Sequence, residues 1–162
     1  MNQETITKIL AKIRETNALI VQPAGENDLA RCQVDLATIG VPLLPSDYME
    51  FLKIANGVSW NDFQFFGTAP IMVKVDDCAL ASIFNKNEIM HTLSEKLEGF
   101  LVVGSFRNEI YVYNPRLETF DTLEAGTFRP LDSFDSFDEM LEESVGYYAF
   151  YDDEEEEDGN LQ

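Results

Sequence analysis

LLPSDYMEFLKIANG, residues 43–57, carries the signal of one short helix together with its start and its stop. Pro45 suits the first turn, where a missing N–H costs nothing, and Asp47 and Glu50 suit the positive N-terminal end of a helix. Gly57, after Asn56, is a natural terminator. Tyr48, Phe51, Leu52 and Ala55 recur at i, i+3, i+4 and i+7, so one face of the helix is apolar and has to dock on something.

The flanking sequence extends this reading. Residues 23–36 (PAGENDLARCQVDL) form a second amphipathic pattern with Leu29, Cys32 and Leu36 on one stripe. After Gly57 comes a loop, Val58, Ser59, Trp60 and Asn61, then an aromatic strand through Phe63, Phe65 and Phe66 that ends at Gly67. The order helix, L-P-x-D-Y-x-x-F-L-x-x-x-N-G, aromatic strand, glycine resembles the SUKH superfamily, which holds yeast cell-wall-assembly regulators and many bacterial immunity proteins of polymorphic toxin systems. Residues 101–104 (LVVG), 110–113 and 133–141 (SFDSFDEML) follow that family's order of elements, so the resemblance spans about residues 20–146. It implies a non-catalytic binding protein, most often one that occludes a toxin domain such as a nuclease or a nucleic-acid deaminase.

The rest of the chain fits a compact α+β reading. Ile6, Ile9, Leu10 and Ile13 open it with an amphipathic helix, and Leu19, Ile20 and Val21 read as a short extended piece. Residues 63–67 and 70–75 read as two short strands. Asp76 and Asp77 suit the N-cap of a helix running through Ala79, Leu80 and Ile83 to Met90. From Phe100 the period changes towards two, in FLVVGS, EIYVYN and TFDTL, separated by short turns, which makes an antiparallel meander the economical arrangement. Ile110 and Val112 then point to one side and Tyr111 and Tyr113 to the other. Helices are expected on one side, with the tyrosine side only partly covered. Ser136 and Glu139 form a capping box for a last helix containing Met140, Leu141 and Val145. The expectation is one α+β domain over residues 1–150, an antiparallel sheet of five or six strands with N-terminal helices and a C-terminal helix packed on it. Residues 151–162 form an acidic tail expected to be disordered.

Composition bounds the chemistry. A chain of 162 residues that is 45% hydrophobic and 12% aromatic has enough apolar material for one packed domain. The first twenty residues carry Glu4, Lys8, Lys12, Arg14 and Glu15 and lack the apolar run of a signal peptide, which points to the cytoplasm. Cys32 and Cys78 fall in segments read as helical, with no CxxC or Cys/His cluster, so buried thiols and no metal are expected. The 30 acidic and 11 basic residues give a net charge of −19. Seven acids lie in residues 152–158, leaving 23 against the same 11, a balance of −12 over the rest. Such a field disfavours nucleic acid and anionic membrane and speeds association with a basic partner. The acidic run itself serves solubility in the simpler reading. In the other it mimics spaced phosphates in the basic cleft of a nuclease.

Catalytic signatures are missing: there is one histidine, His91, and no G-x-S-x-G elbow, P-loop or G-x-G-x-x-G. No cofactor is implied. Trp60, Tyr111 and Tyr113 are the aromatic candidates for a contact surface, with Asp62, Asp76, Asp77, Glu109, Glu118 and Asp121 as the carboxylates to meet a basic toxin or other protein partner. A monomer or weak dimer is expected. The alternatives are a regulatory scaffold of the cell-wall-assembly type and, more distantly, a carboxylate-dependent hydrolase.

Overall fold

We describe the fold from a computed structural model of the protein, over residues 1–74 and 77–152. In chain order the elements are α1 (Gln3–Arg14), β1 (Leu19–Ile20), α2 (Glu26–Thr38), α3 (Ser46–Ile54), β2 (Val58–Trp60), β3 (Phe63–Phe65), β4 (Ile71–Lys74), β5 (Asp77–Leu80) and α4 (Ile83–Leu93). A 3-10 turn (Glu95–Leu97) leads into β6 (Leu101–Phe106), β7 (Glu109–Asn114), β8 (Thr119–Glu124), β9 (Pro130–Phe134), α5 (Phe137–Leu141) and a π-helix (Glu142–Asp152). Seven strands form one antiparallel sheet in the order β1-β2-β3-β6-β7-β8-β9, and β4 and β5 pair separately as a ribbon. This is the α+β class expected, with helices at both ends of the chain. The acidic tail lies almost wholly outside the described residues, as does Asp76.

The helix in residues 43–57 is α3. Pro45 serves as its N-cap rather than its first turn, and Ala55 lies just past its end, yet Tyr48, Phe51, Leu52 and Ala55 are all completely buried. The Tyr48 hydroxyl lies within hydrogen-bond reach of two carbonyls, those of Phe66 at the end of β3 and of Val103 in β6. Eight residues on, the Asn56 amide donates to Thr68 Oγ1 at 2.7 Å and its carbonyl oxygen accepts from the Thr68 N–H at 2.8 Å. Both ends of the helix segment therefore hold residues 66–68. Gly67 is required between them, because a Cβ there would sit 2.1 Å from the Asn56 carbonyl oxygen.

β3 stops pairing with β6 at Gly104, and Asn87 of α4 takes its place. The Asn87 amide donates to the Val102 carbonyl and its oxygen accepts from the Val102 N–H, both at 2.8 Å, as a neighbouring strand would. A fully buried asparagine is thus satisfied by the backbone at a bulge in β6. The Asp47 carboxylate accepts from the Phe137 N–H at 3.2 Å and fixes the start of α5 on α3.

Several expectations change. The sheet gains strands because residues 58–60, read as a loop, pair with β3 through a tight turn: Asn61 and Asp62 both take positive φ, 47° and 70°, which matches the strand twist. Pro130–Phe134 also adds an edge strand, paired with β8. Asp77, Cys78, Ala79 and Leu80 form β5 rather than a helix start. The cap of α4 is Ser82, whose Oγ accepts from the Asn85 N–H at 3.1 Å, while Gly67 accepts from the Ile83 N–H at 2.8 Å. Cys78 is consequently exposed on a strand, whereas Cys32 is buried in α2 with its thiol pushed up to about 12 by desolvation and by Asp35.

Leu52→Ala is expected to destabilise the protein by about 2–5 kcal/mol, as a large-to-small change in a filled core. Tyr48→Phe, which removes only the buried hydroxyl, is expected to cost about 1–3 kcal/mol. Urea denaturation of each variant against the parent checks both values.

Candidate binding pocket

The register of the sheet gathers a site that no single segment contains. Phe63 faces Phe106 across β3 and β6, and Phe106 faces Glu109 across β6 and β7. In the neighbouring row Tyr111 faces Thr122, which faces Asp132 on β9. Residues two apart on a strand share a face, so Glu109 with Tyr111, and Asp132 with Phe134, point to the same side. Gly104, opposite Tyr111, leaves space there: a Cβ would come within 2.8 Å of the Phe65 ring, which stacks on Tyr111 at 5.2 Å.

The π-helix lies over this face. Its wider turn brings Glu143, Ser144, Tyr147 and Tyr148 together above the sheet, and π-helical segments are rare and concentrate at functional positions. Between the two layers is a cavity of about 330 Å3, lined by Phe63, Phe106, Glu109, Tyr111, Thr122, Asp132, Phe134, Glu143, Ser144, Tyr147 and Tyr148. The ring of Tyr148 meets Phe63 at 5.5 Å and Phe106 at 5.3 Å, and Tyr147 meets Tyr148 edge-on at 5.4 Å. Burial, with Glu109 adding to it, holds the Tyr111 phenol well above its usual range.

The electrostatics are one-sided. Glu109, Asp132 and Glu143 line the cavity, and no lysine or arginine lines it or pairs with them among the described residues. Glu109 is held above the usual carboxylate range, first by burial and then by the Asp132 carboxylate. At the rim, the Arg107 guanidinium lies 4.6 Å from the centre of the Phe106 ring and 5.7 Å from that of Tyr148. It also pairs with Asp62 at 3.7 Å, both side chains being well exposed.

Of the residues singled out from the sequence, the structure brings Glu109 and Tyr111 into this cavity, with Asp62 near its rim through Arg107. Tyr111 is a wall and not a surface residue: it is 2% exposed, packed on Phe65 and through it on Phe51 of α3 and Phe137 of α5, while Ile110 and Val112 on the opposite side of β7 are buried as well. Trp60 is likewise buried. It is 7% exposed, stacks near Phe63 at 6.2 Å and donates its indole N–H to Thr16 Oγ1 at 2.9 Å. Tyr113 is half-buried against Phe120, and Asp121 points to the other face, where it accepts from Ser133 Oγ at 2.7 Å. Glu118 lies at the β7–β8 turn with a φ of 55°, and Asp77 is on the separate ribbon. Asp132, Phe134, Glu143, Tyr147 and Tyr148 were not anticipated. Their one trace in the sequence is that acidic and aromatic residues alternate after Arg129 with no further basic residue.

Elsewhere, a cavity of about 220 Å3 beside His91 is lined by Ile39, Val41, Glu88 and Thr92. The His91 Nε2 is buried without a partner, and burial lowers the imidazole's basicity. Among the described residues no three or more His, Cys, Asp or Glu side chains are grouped to hold a metal ion, and no helix is long and apolar enough to cross a membrane. No protein-family model matches the chain, and no curated protein matches it.

Because folding raises the pKa of Glu109, its contribution to stability is fully present below the unfolded value, about 4.3, and is lost as pH rises through the higher folded value. Glu109→Gln is therefore expected to be more stable than the parent at neutral pH, with the difference shrinking as pH falls through the carboxylate range. Denaturation midpoints measured across that range check the sign.

Proposed function

We propose that this chain is a protein-binding domain of the SUKH type that acts without catalysis, as a cytoplasmic immunity protein that binds and neutralises a basic toxin domain. The observation that carries this reading is the aromatic cavity lined by Glu109, Asp132 and Glu143 and, among the described residues, by no lysine or arginine, on a chain of net charge −19. A site that concentrates uncompensated negative charge beside exposed tyrosine is suited to a positively charged protein surface, with the aromatics giving residence time and the wider field giving on-rate. The tie between α3 and residues 66–68 also gives the L-P-x-D-Y-x-x-F-L-x-x-x-N-G pattern a structural reason, which supports the resemblance.

A second reading has one observation in its favour. The elevated Glu109 beside the Asp132 carboxylate, within an aromatic cavity, has the components of a carboxylate-dependent hydrolase acting on a sugar. Turnover of chromogenic glycosides that Glu109→Gln abolishes supports that reading and displaces the first.

Binding kinetics against the product of the neighbouring gene test the immunity function. Association is expected to slow as salt rises, because at 0.15 M exposed charges are screened beyond about 8 Å, while dissociation changes much less. Deleting residues 152–162 is expected to lower the on-rate and leave a stable complex. Tyr147→Ala, at a residue 42% exposed on the cavity, is expected to raise the off-rate. Absence of binding to a basic neighbour product overturns the reading.

A further inference from the structure

We infer that the cavity beneath the π-helix receives a single guanidinium group, supplied by an arginine side chain of the partner protein. The inference rests on the reading of the chain as a protein-binding domain and assigns the chemistry of its contact. At about 330 Å3 the cavity is at the small end of the range for ligand sites, about 300–1,000 Å3, which fits one long side chain better than an extended peptide.

Its lining decides the charge and shape of that group. Carboxylates come from three different elements: Glu109 from β7, Asp132 from β9 and Glu143 from the π-helix. An anion is repelled by such a set, and a neutral group gains nothing from its charge. An ammonium is a compact, strongly hydrated point charge, whereas a guanidinium is flat, weakly hydrated, forked towards carboxylates and able to lie on aromatic faces. Carboxylates spread over the sheet and the helix, with tyrosine and phenylalanine between them, match the second description. The molecule supplies its own precedent at the rim, where the Arg107 guanidinium lies over Phe106 and Tyr148, two of the rings that line the cavity. Arg107 pairs with Asp62 at the rim, and among the described residues no lysine or arginine lines the cavity beside Glu109, Asp132 and Glu143.

The test uses the whole chain and three small probes: N-acetyl-arginine methylamide, its lysine counterpart, and its citrulline counterpart, which keeps the shape of arginine without the charge. Two-dimensional amide NMR follows each titration. The expected result is saturable shifts at Glu109, Tyr111, Ser144 and Tyr148 with arginine, at a dissociation constant on the order of 1–10 mM, weaker shifts with lysine and none with citrulline. Glu109→Gln is expected to weaken the arginine probe by roughly fivefold or more, since a charge-assisted contact is lost. That variant is expected to fold at least as well as the parent, which keeps the comparison sound. Equal binding of citrulline, equal or tighter binding of lysine, or an arginine response unchanged by Glu109→Gln overturns the assignment. A toxin domain that binds while the arginine probe stays out of the cavity removes this inference alone. An arginine probe that enters while no basic partner binds removes the immunity reading alone.

Discussion

The fold depends on how α3 is tied to the three residues that follow β3. A buried tyrosine hydroxyl and an asparagine amide are expensive to leave unpaired, and here both are satisfied by residues 66–68 and by β6. The backbone at Gly67 passes so close to Asn56 that no side chain fits between them. The consequence is geometric: the end of β3 is pinned under α3, and β6 is left with a free stretch of backbone at Val102. Asn87 of α4 fills that gap, so a single tie near the middle of the sheet sets where helices pack on both sides of β3.

From this tie a chain of rings leads outward to the cavity. Tyr48 meets Phe137 edge-on at 5.2 Å, Phe137 meets Phe65 at 5.6 Å, and Phe65 stacks on Tyr111. Each contact is worth only about 0.5–1.5 kcal/mol beyond burial, but together they leave Tyr111 no freedom to leave its position. The cavity wall is therefore a continuation of the core, while its opposite side, the π-helix, follows directly from α5 and is anchored where Asp47 receives the Phe137 N–H. A rigid floor and an anchored cover are the conditions under which a small binding site loses little entropy on filling.

Much of this was legible in the sequence and some of it was not, for identifiable reasons. α1 and α3 announced themselves because their apolar residues recur with the helical period, and β6, β7 and β8 because theirs alternate. β2 escaped notice because it has three residues and ends in Asn61–Asp62, a turn pair whose positive φ values resemble an ordinary polar loop until the pairing partner is known. Asp77 looked like a helix cap because acids suit that position, yet Ser82 had the geometry to serve. Tyr111 is buried where partial exposure is expected because alternation assigns residues to faces without saying whether both faces are covered, and here Ile110 and Val112 are buried as well as Tyr111. The cavity was the least legible feature. Its residues come from β3, β6, β7, β8, β9 and the π-helix, and only the cross-strand register brings Phe63, Glu109 and Asp132 together.

That distribution also separates two kinds of acidity in this protein. Carboxylates scattered over exposed helices are screened by water and salt, some of them paired, such as Glu4 with Lys8 and Glu50 with Lys53, and they contribute mainly to solubility and to long-range attraction. Glu109 differs: it is partly withdrawn from water, pushed towards its neutral form by burial and by Asp132, and has no ion-pair partner among the described residues. Evolution of stability alone favours replacing such a residue with a neutral one, because its charge opposes folding at neutral pH. The overall charge of −19 is satisfied by many arrangements of surface acids and so selects no particular partner. A charge kept at a cost beneath aromatic rings discriminates between partners, because only a group of opposite sign and fitting shape compensates it.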